Sequence, residues 1–249
     1  MFTDSHCHLY KEYYDDIDSI LKLAKKNFVD RYINNGCDKN TNIEVLNLIN
    51  KHENMYGTLG IHPEYVNKYN SLDIKFIEKN LNTKKIVAIG EIGLDYYYTK
   101  DNKIEQLKLF ETQLKIAEDN DMPVVVHSRE ATLDTINTLK KYNVNGLIHS
   151  FSGSLETAKE YIKLGFLIGV NGIVTFKNAK IKDVIKEIPL ENLVLETDSP
   201  YLTPSPYRGK QNNPSHILDI AKFVAELKNI TLEQLSEVTN KNLKKIFKI

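Results

Sequence analysis

Ile86-Val87-Ala88-Ile89 is a short, wholly apolar run of the kind that forms a strand buried on both faces. A longer segment follows in which apolar residues return every three or four positions from Leu107 to Ala117, and this spacing is typical of an amphipathic helix. The next apolar run, Val124-Val125-Val126, begins a second unit of the same kind. This order predicts parallel strands that are joined by a helix.

The same pattern recurs along the chain and predicts eight strands. They are Phe2-Thr3, Val29 to Ile33, Tyr56 to Leu59, Ile86 to Ile89, Val124 to Val126, Gly146 to Ile148, Phe166 to Val170 and Leu193 to Leu195. Eight strand and helix units in 249 residues fit a TIM-like (β/α)8 barrel, which typically takes about 250 residues. We therefore expect an α/β fold with one domain over residues 1–249, and a doubly wound open sheet is the alternative.

Two segments after the last predicted strand have patterns of their own. Thr231-Leu232-Glu233-Gln234 has the spacing of a capping box and predicts an extra C-terminal helix that reaches Phe247. Four of the seven prolines fall between Pro200 and Pro214, which predicts an ordered but non-helical loop after the eighth strand.

The composition excludes several classes of protein. Lysine and arginine total 33, as do aspartate and glutamate, so the chain lacks the basic excess of proteins that coat nucleic acid or acidic membranes. The two cysteines, Cys7 and Cys37, cannot form a disulfide framework and lack the paired spacing of a structural zinc site. The N-terminus does not resemble a signal peptide, and no apolar run approaches the roughly 18 residues of a membrane span. We expect a cytoplasmic protein with no membrane partner.

Histidines and carboxylates stand where the predicted strands end. They are His6 and His8 after the first strand, His62 after the third, Glu91 after the fourth, His127 after the fifth, His149 after the sixth and Asp198 after the eighth. In a barrel these ends meet at one mouth, where barrel enzymes place their catalytic groups. Several imidazoles and two carboxylates in one cavity are hard to satisfy without a cation, so the sequence predicts a metal site.

Two of these features are informative by themselves. Because side chains alternate along a strand, His6 and His8 point to the same side and can chelate one ion, while Cys7 points to the other side. Glu91 interrupts an apolar strand with a carboxylate that needs a cation if it is to stay charged in the interior. A hydrogen-bonded histidine pair and a buried salt bridge are the structural alternatives for each feature alone.

Seven motifs, in order from the first strand to the last, resemble those of the TatD-type metal-dependent deoxyribonucleases, a branch of the amidohydrolase-like barrels. They are Thr3-Asp4-Ser5-His6-Cys7-His8, Gly60-Ile61-His62-Pro63, Gly90-Glu91-Ile92-Gly93-Leu94-Asp95, His127-Ser128-Arg129, His149-Ser150-Phe151-Ser152-Gly153, Glu196-Thr197-Asp198-Ser199-Pro200, and Arg208-Gly209-Lys210 with Asn213-Pro214. The resemblance implies two divalent metal ions and 3′-to-5′ exonuclease activity, or a related hydrolysis of phosphodiester bonds at DNA ends.

The resemblance also implies which residues bind the metals. His6, His8 and Asp198 would hold the first ion, His127 and His149 the second, and Glu91 would bridge both. Such mixed ligands suit Zn, Mn, Ni or Fe about as well as Mg, so the identity of the ions stays open. Two ions roughly 3.5–4 Å apart convert a bridging water into a metal-bound hydroxide that attacks phosphorus. Glu91 and Asp198 are the predicted catalytic residues, with Asp198 as the general base.

Arginine is rare in this chain, and its positions suggest contacts with phosphate. Only three of the 33 basic residues are arginine, and Arg129 and Arg208 lie beside the predicted site. A guanidinium group suits bidentate recognition of phosphate, although a salt bridge at a helix start is the alternative. We expect Arg129, Arg208, Lys210 and His62 to contact phosphate, while a purely structural role for His62 stays open.

The expected partner is DNA, as single strands or 3′ ends, and RNA stays open. Tyr96-Tyr97-Tyr98 offer rings for stacking on unpaired bases, although loop tyrosines more often pack on the protein itself. Two other functions fit the same residues. One is a D-aminoacyl-tRNA deacylase or another ester or amide hydrolase on the same metal site. The other is a nucleic-acid-binding protein whose metal is structural.

Overall fold

A computed structural model describes residues 1–97 and 101–249. In this part of the chain, eight parallel strands form one sheet in the order β1 to β8. The strands are β1 Phe2–Cys7, β2 Val29–Asn35, β3 Met55–Leu59, β4 Ile86–Asp95, β5 Val124–Arg129, β6 Gly146–Ile148, β7 Phe166–Val170 and β8 Leu193–Leu195. The predicted number, order and direction of the strands are confirmed.

The sheet curls into a nearly closed barrel. The N–H of Asp198 donates to the carbonyl of His6 at 2.9 Å, and the N–H of His8 donates to the carbonyl of Ser199 at 2.8 Å. These bonds join β1 to the segment directly after β8, and Cys7 and Ser199 form a parallel bridge there. The TIM-like barrel is therefore confirmed, and the doubly wound open sheet is excluded.

Helices alternate with the strands and cover the outside of the sheet. The α-helices are α1 Ile17–Lys26, α2 Lys39–Lys51, α3 Ser71–Asn80, α4 Lys103–Asp119, α5 Thr132–Leu139, α6 Leu155–Lys163, α7 Ile181–Glu187, α8 Ile217–Lys228 and α9 Leu232–Phe247. Short 3-10 helices span Pro63–Tyr65, Gly172–Thr175, Leu190–Asn192 and Pro214–His216. Among the described residues, none of the helices combines the length and apolar content that crossing a membrane requires.

The two segments after β8 have the predicted conformations. The side chain of Thr231 accepts a hydrogen bond from the N–H of Gln234 at 3.1 Å, and the side chain of Gln234 accepts one from the N–H of Thr231 at 3.0 Å. This capping box begins α9, the extra C-terminal helix. The proline-rich segment between β8 and Pro214–His216 contains no α-helix.

A small apolar cluster fills one end of the barrel. It includes Ile33, Val87, Val125, Leu147, Leu167 and Val194 from six strands, together with Leu243 and Phe247 of α9. Side chains from so many strands meet only inside a barrel. Most of these residues are the second residue of their strand, so the cluster lies at the N-terminal ends of the strands. The cluster is therefore the floor of the barrel, closed by α9, and the interior at the opposite end is left to polar side chains.

Several strands run further than their apolar runs predicted. β1, β2, β4 and β5 continue to Cys7, Asn35, Asp95 and Arg129. The prediction ended each strand with its apolar, β-branched run, but at this end of the barrel the strands continue through polar residues whose interior side chains face one another and not an apolar core. As a result, Glu91 and His127 lie inside strands and not at their ends. His62 lies three residues beyond the end of β3.

Candidate metal centre

Six of the predicted side chains converge at the mouth of the barrel formed by the C-terminal ends of the strands. They are His6, His8, Glu91, His127, His149 and Asp198. All but His6 line a cavity of about 560 Å³, and His6 is fully buried beside it. The mouth therefore combines an open cavity with donor groups that are almost fully removed from water.

Glu91 lies at the centre of this cluster. Its Oε2 is 3.3 Å from Nε2 of His6 and 3.4 Å from Nε2 of His8. Its Oε1 is 2.8 Å from Nε2 of His149 and 3.1 Å from Nδ1 of His127. The two carboxylate oxygens therefore face separate sets of imidazoles, with Nε2 of His62 also 3.4 Å from Oε1, and this arrangement suits a bridging ligand.

An irregularity in β4 directs Glu91 into the mouth. The register between β4 and β5 shifts between Ile89 and Ile92, on either side of this residue. The N–H of Glu91 donates to the carbonyl of Gly36, beyond the end of β2, at 2.7 Å. Bulges of this kind re-aim a side chain and are frequent next to active sites.

Asp198 reaches the same place from the other side of the barrel seam, which is the junction where the segment after β8 pairs with β1. Its Oδ1 is 3.6 Å from Nε2 of both His6 and His8. Its backbone is in the left-handed region, with φ of 55°, in the turn that follows β8. Asp198, His6 and His8 together with one oxygen of Glu91 make a compact group of donors.

The distances between the imidazoles test whether the donors fit metal ions. Nε2 of His6 is 3.1 Å from Nε2 of His8, and Nδ1 of His127 is 3.0 Å from Nε2 of His149. Two nitrogens that each lie about 2.0–2.1 Å from one ion have this separation when the nitrogen–metal–nitrogen angle is about 95–100°. This angle lies between those of octahedral and tetrahedral coordination. Imidazole and carboxylate donors also suit zinc and other transition metals. Each imidazole pair therefore fits a divalent ion.

The protonation of the cluster is set by burial and by its own charges. Burial disfavours the charge on Glu91, but the imidazoles of His149, His62 and His6 hold the pKa of that carboxyl well below its usual value. Burial lowers the pKa of His6 to about 3. Glu91 is therefore ionised and His6 neutral near neutral pH, which are the forms that bind metal.

Asp95 contacts the cluster and was not assigned from the sequence. It is buried at the end of β4, and its Oδ2 accepts a hydrogen bond from Nε2 of His127 at 2.9 Å. Burial lowers the pKa of His127, but the bonds to Asp95 and Glu91 outweigh it and raise that pKa to about 9. A carboxylate on the second nitrogen of a ligand histidine fixes the ring and its tautomer. The two-residue period from Glu91 through Gly93 to Asp95 is the one local signal that could have suggested it.

Two further polar residues next to the ligands were also missed. Sγ of Cys37 lies 3.8 Å from Nδ1 of His8 and 3.8 Å from Oε2 of Glu91, and burial raises the pKa of the thiol to about 11. Oε1 of Glu196 lies 3.9 Å from Nδ1 of His149. Neither residue stands in a spacing that marks a ligand, because the contacts join elements that are distant in the chain.

The four predicted phosphate contacts are not all at the cavity. Arg129 and His62 line it, and Nε2 of His62 is 3.4 Å from Oε1 of Glu91. Arg208 and Lys210 are not among its lining residues. The guanidinium group of Arg208 lies 4.3 Å from the ring centre of Phe176. A substrate contact by Arg208 or Lys210 therefore requires a substrate that extends beyond the cavity, and all four roles stay predictions.

The three tyrosines proposed for base stacking differ from one another. Tyr96 is buried, and its hydroxyl donates to a carboxylate oxygen of Asp134 at 2.9 Å. Tyr97 is exposed, and its ring lies 3.8 Å from the guanidinium carbon of Arg129. Tyr98 lies outside the described residues. Tyr96 has no exposed face for a base, because it packs on the protein itself.

A β/α barrel that buries histidines around a shared carboxylate at its C-terminal mouth is typical of metal-dependent hydrolases. The chain matches the sequence model of the family described as TatD related DNase over residues 3–248, and it belongs to this family of metal-dependent hydrolases.

Individual relatives agree with this membership. The chain is 39% identical to the uncharacterized metal-dependent hydrolase YabD of Bacillus subtilis strain 168, with 100% of each chain covered. It is 36% identical to the uncharacterized metal-dependent hydrolase YcfH of Escherichia coli K12, over 99% of this chain and 96% of that one. The crystal structure of YjjV, a TatD homologue from Escherichia coli K12, superposes with a TM-score of 0.95 at 30% identity, over 100% of this chain and 98% of that one.

Proposed function

We propose that the protein is a divalent-metal-dependent deoxyribonuclease that hydrolyses phosphodiester bonds at DNA ends, as a 3′-to-5′ exonuclease. The observation that carries the proposal is Glu91, whose two oxygens face two separate imidazole pairs at 2.8–3.4 Å. Paired divalent ions at such a carboxylate supply Lewis acidity and an activated water for phosphoester hydrolysis. The match to a family described as TatD related DNase supports DNA as the substrate.

The ligand roles follow from the two groups of donors. His6, His8 and Asp198 would hold one ion, His127 and His149 would hold the other, and Glu91 would be shared between them. Glu91 and Asp198 cancel two of the four positive charges of two divalent ions, so the ligand set retains a charge of about +2. This local charge attracts a phosphodiester although the chain as a whole carries no net charge.

Asp198 is the general base in this proposal. It lines the cavity, so its carboxylate can orient a water there and accept its proton. Burial opposes its ionisation, but the hydrogen bond to His8 and the nearby imidazoles of His149 and His6 keep its pKa below the usual value. Asp198 is therefore ionised and able to accept a proton near neutral pH.

Two further side chains contact the phosphate group. Arg129 binds phosphate oxygens from the cavity wall, and His62 donates from Nε2. Nδ1 of His62 accepts a hydrogen bond from the N–H of Glu64 at 3.3 Å, which leaves Nε2 as the donor of the neutral ring. Burial lowers the pKa of His62 and so favours this neutral form.

The test combines metal analysis with nuclease assays. Metal content is measured first, and nucleotide release from single- and double-stranded DNA, labelled at either end, is then followed before and after chelation. We expect release from 3′ ends that stops on chelation and returns with restored metal. Glu91→Gln should lose both bound metal and release, while Glu53→Gln, an exposed glutamate before β3 at the other end of the barrel, should keep both.

Two outcomes would contradict the proposal. One is deacylation of D-aminoacyl-tRNA by a metal-loaded protein that releases no nucleotide from DNA. The other is a protein that unfolds on chelation and refolds with metal but then hydrolyses no ester, because its metal would then be structural.

A further inference from the structure

We propose that the ring of Tyr201, held in place by Tyr13, is a stacking platform for the base of an unpaired terminal nucleotide. This inference rests on the proposed nuclease function and names the part of the substrate that enters the cavity. The sequence-based expectation placed stacking at Tyr96-Tyr97-Tyr98 instead, and of these Tyr96 is buried.

The platform belongs to an aromatic wall on one side of the cavity. Tyr10, Tyr13, Tyr65 and Tyr201 line this wall. Tyr10 is only 3% exposed, whereas Tyr201 is 51% exposed. Tyr201 therefore offers the ring surface that a ligand can cover.

Tyr13 fixes the orientation of this ring. The hydroxyl oxygens of Tyr13 and Tyr201 are 2.9 Å apart, within hydrogen-bond distance, and the two rings meet edge to face with centres 5.9 Å apart. Tyr13 in turn packs against the buried Tyr10, with ring centres 5.8 Å apart. Because the ring is already oriented, stacking a base on it costs little side-chain entropy.

The platform is rigidly linked to the metal centre. The N–H of Tyr201 donates to the carbonyl of Asp198 at 2.9 Å, so one turn carries both residues. The ring centre of Tyr201 is 6.4 Å from that of His8. In a nucleotide the base and the phosphate are separated by one sugar. A base on Tyr201 therefore leaves its phosphate next to the ligand histidines.

The rest of the cavity favours a single unpaired nucleotide. Arg129 is the one lysine or arginine among the described residues that line it, whereas Glu12 and Glu64 add negative charge. A run of phosphates would meet little positive charge there beyond the metal ligands. The volume of about 560 Å³ is that of a small-ligand site and does not admit a duplex. Stacking on Tyr201 thus supplies the affinity that a basic groove supplies in other nucleases.

The binding test uses a short single-stranded oligonucleotide with 2-aminopurine at its 3′ end and phosphorothioate linkages that slow cleavage, mixed with the metal-loaded protein. Stacking quenches this fluorophore, and one stacked base is worth about 5- to 150-fold in affinity. We expect quenching with the unaltered protein and with Tyr201→Phe, which keeps the ring. Tyr201→Ala should abolish the quenching and weaken binding by about 5- to 150-fold.

Two controls separate stacking from general damage. Phe28→Ala removes another exposed aromatic ring, 58% exposed, that lies just before β2 at the opposite end of the barrel, and it should change nothing. Tyr201→Leu keeps an apolar side chain without an aromatic face and should behave like Tyr201→Ala. Metal content and melting temperature are compared for every variant.

A kinetic test uses DNA whose terminal nucleotide lacks its base. Tyr201→Ala should raise KM for normal single strands with little change in kcat, and this penalty should vanish on the abasic end. An equal rise in KM on both substrates, or unchanged quenching in Tyr201→Ala, would overturn the proposal that Tyr201 stacks on a base. If the unaltered protein hydrolyses no DNA, the proposed function fails, and the fluorescence experiment still decides whether Tyr201 stacks on a base.

Discussion

At the scale of single residues, the proposed function gives Asp198 two roles, as a metal ligand and as the general base. Asp198→Asn keeps the size of the side chain and an oxygen donor but cannot accept a proton at neutral pH. We expect kcat at saturating metal to fall by about 10²- to 10⁴-fold, the usual contribution of a general base.

The control for this substitution is Asp121→Asn, an exposed aspartate before β5 at the other end of the barrel, which should leave kcat unchanged. If Asp198→Asn kept full turnover with an intact metal content, Asp198 would not be the base.

Substitution of Asp95 tests whether this carboxylate positions the ring of His127. In Asp95→Asn the amide can turn its NH2 group toward Nε2 of His127, which moves the ring proton to Nδ1, the nitrogen that faces Glu91. We expect metal affinity to fall by about 10- to 100-fold. Competition with a chromophoric chelator measures this affinity directly, and an unchanged value would mean that Asp95 only packs against the ring.

The sequence identified the side chains that converge at the mouth of the barrel better than it identified their neighbours. Glu91 was predictable because a carboxylate within an apolar run needs a partner, and the structure places that residue at the centre of the cluster. Asp95 and Tyr201 were not assigned, because their importance depends on distances to residues on other strands. Tyr96-Tyr97-Tyr98 offered rings for stacking, with packing on the protein itself as the more common alternative, and the ring of Tyr96 is buried.

At the scale of elements, β4 and β5 must approach each other closely for Glu91 and His127 to meet. Gly93 in β4 has φ of 141°, and a Cβ there would lie 2.0 Å from the carbonyl oxygen of His127. Gly93→Ala should therefore lower the free energy of unfolding by more than the roughly 1–3 kcal/mol of backbone strain alone, and it should weaken metal binding.

Gly165→Ala is the matched control for the clash. Gly165 also has a positive φ, of 92°, but a Cβ there would lie no closer than 3.5 Å to a neighbouring atom. Urea unfolding of both variants measures the difference in their free energies of unfolding. The comparison requires that the dependence of this free energy on urea concentration is the same in both. If the two variants were equally destabilised, the close approach of Gly93 to His127 would contribute nothing to the loss of stability.

The loop between β8 and α8 carries Arg208 outside the cavity. If Arg208 binds a phosphate further along a single strand, Arg208→Ala should reduce the slope of log affinity against log salt by about 0.7. Arg31→Ala removes an exposed arginine of β2 and should leave the slope unchanged. Binding titrations at several salt concentrations provide the measurement, and equal slopes for all three proteins would exclude this contact.

Local periodicity explains why the elements themselves were predictable. Each strand and helix has a pattern within its own few residues, as the capping box of Thr231 and Gln234 illustrates. The ends of the strands were less predictable. Whether a polar residue such as Asp95 ends a strand or continues it depends on what faces it across the barrel, and this is not visible in a local pattern.

At the scale of the whole molecule, metal binding should couple to folding. The donors come from different strands and loops, so the unfolded chain has no assembled site. One ion at 100 times its dissociation constant adds about 2.7 kcal/mol to the free energy of unfolding, and a chain of this length gains about 2–4 °C in Tm per kcal/mol. Chelation should therefore lower Tm by about 5–10 °C for each ion removed.

Glu91→Gln provides the comparison for this measurement. A variant that binds no metal should melt at the same temperature with and without the chelator. A chelator effect of the same size in both proteins would place the stabilising ion elsewhere in the molecule.

The barrel seam affects when an active site can exist at all. His6 and Asp198 stand 192 positions apart in the sequence, and backbone hydrogen bonds join their segments where the sheet closes. During synthesis His6 is made 192 residues before Asp198, so the two side chains can meet only after Asp198 has been added. A chain that ends before Asp198 therefore lacks a complete donor set, so the proposed nuclease activity requires a closed barrel.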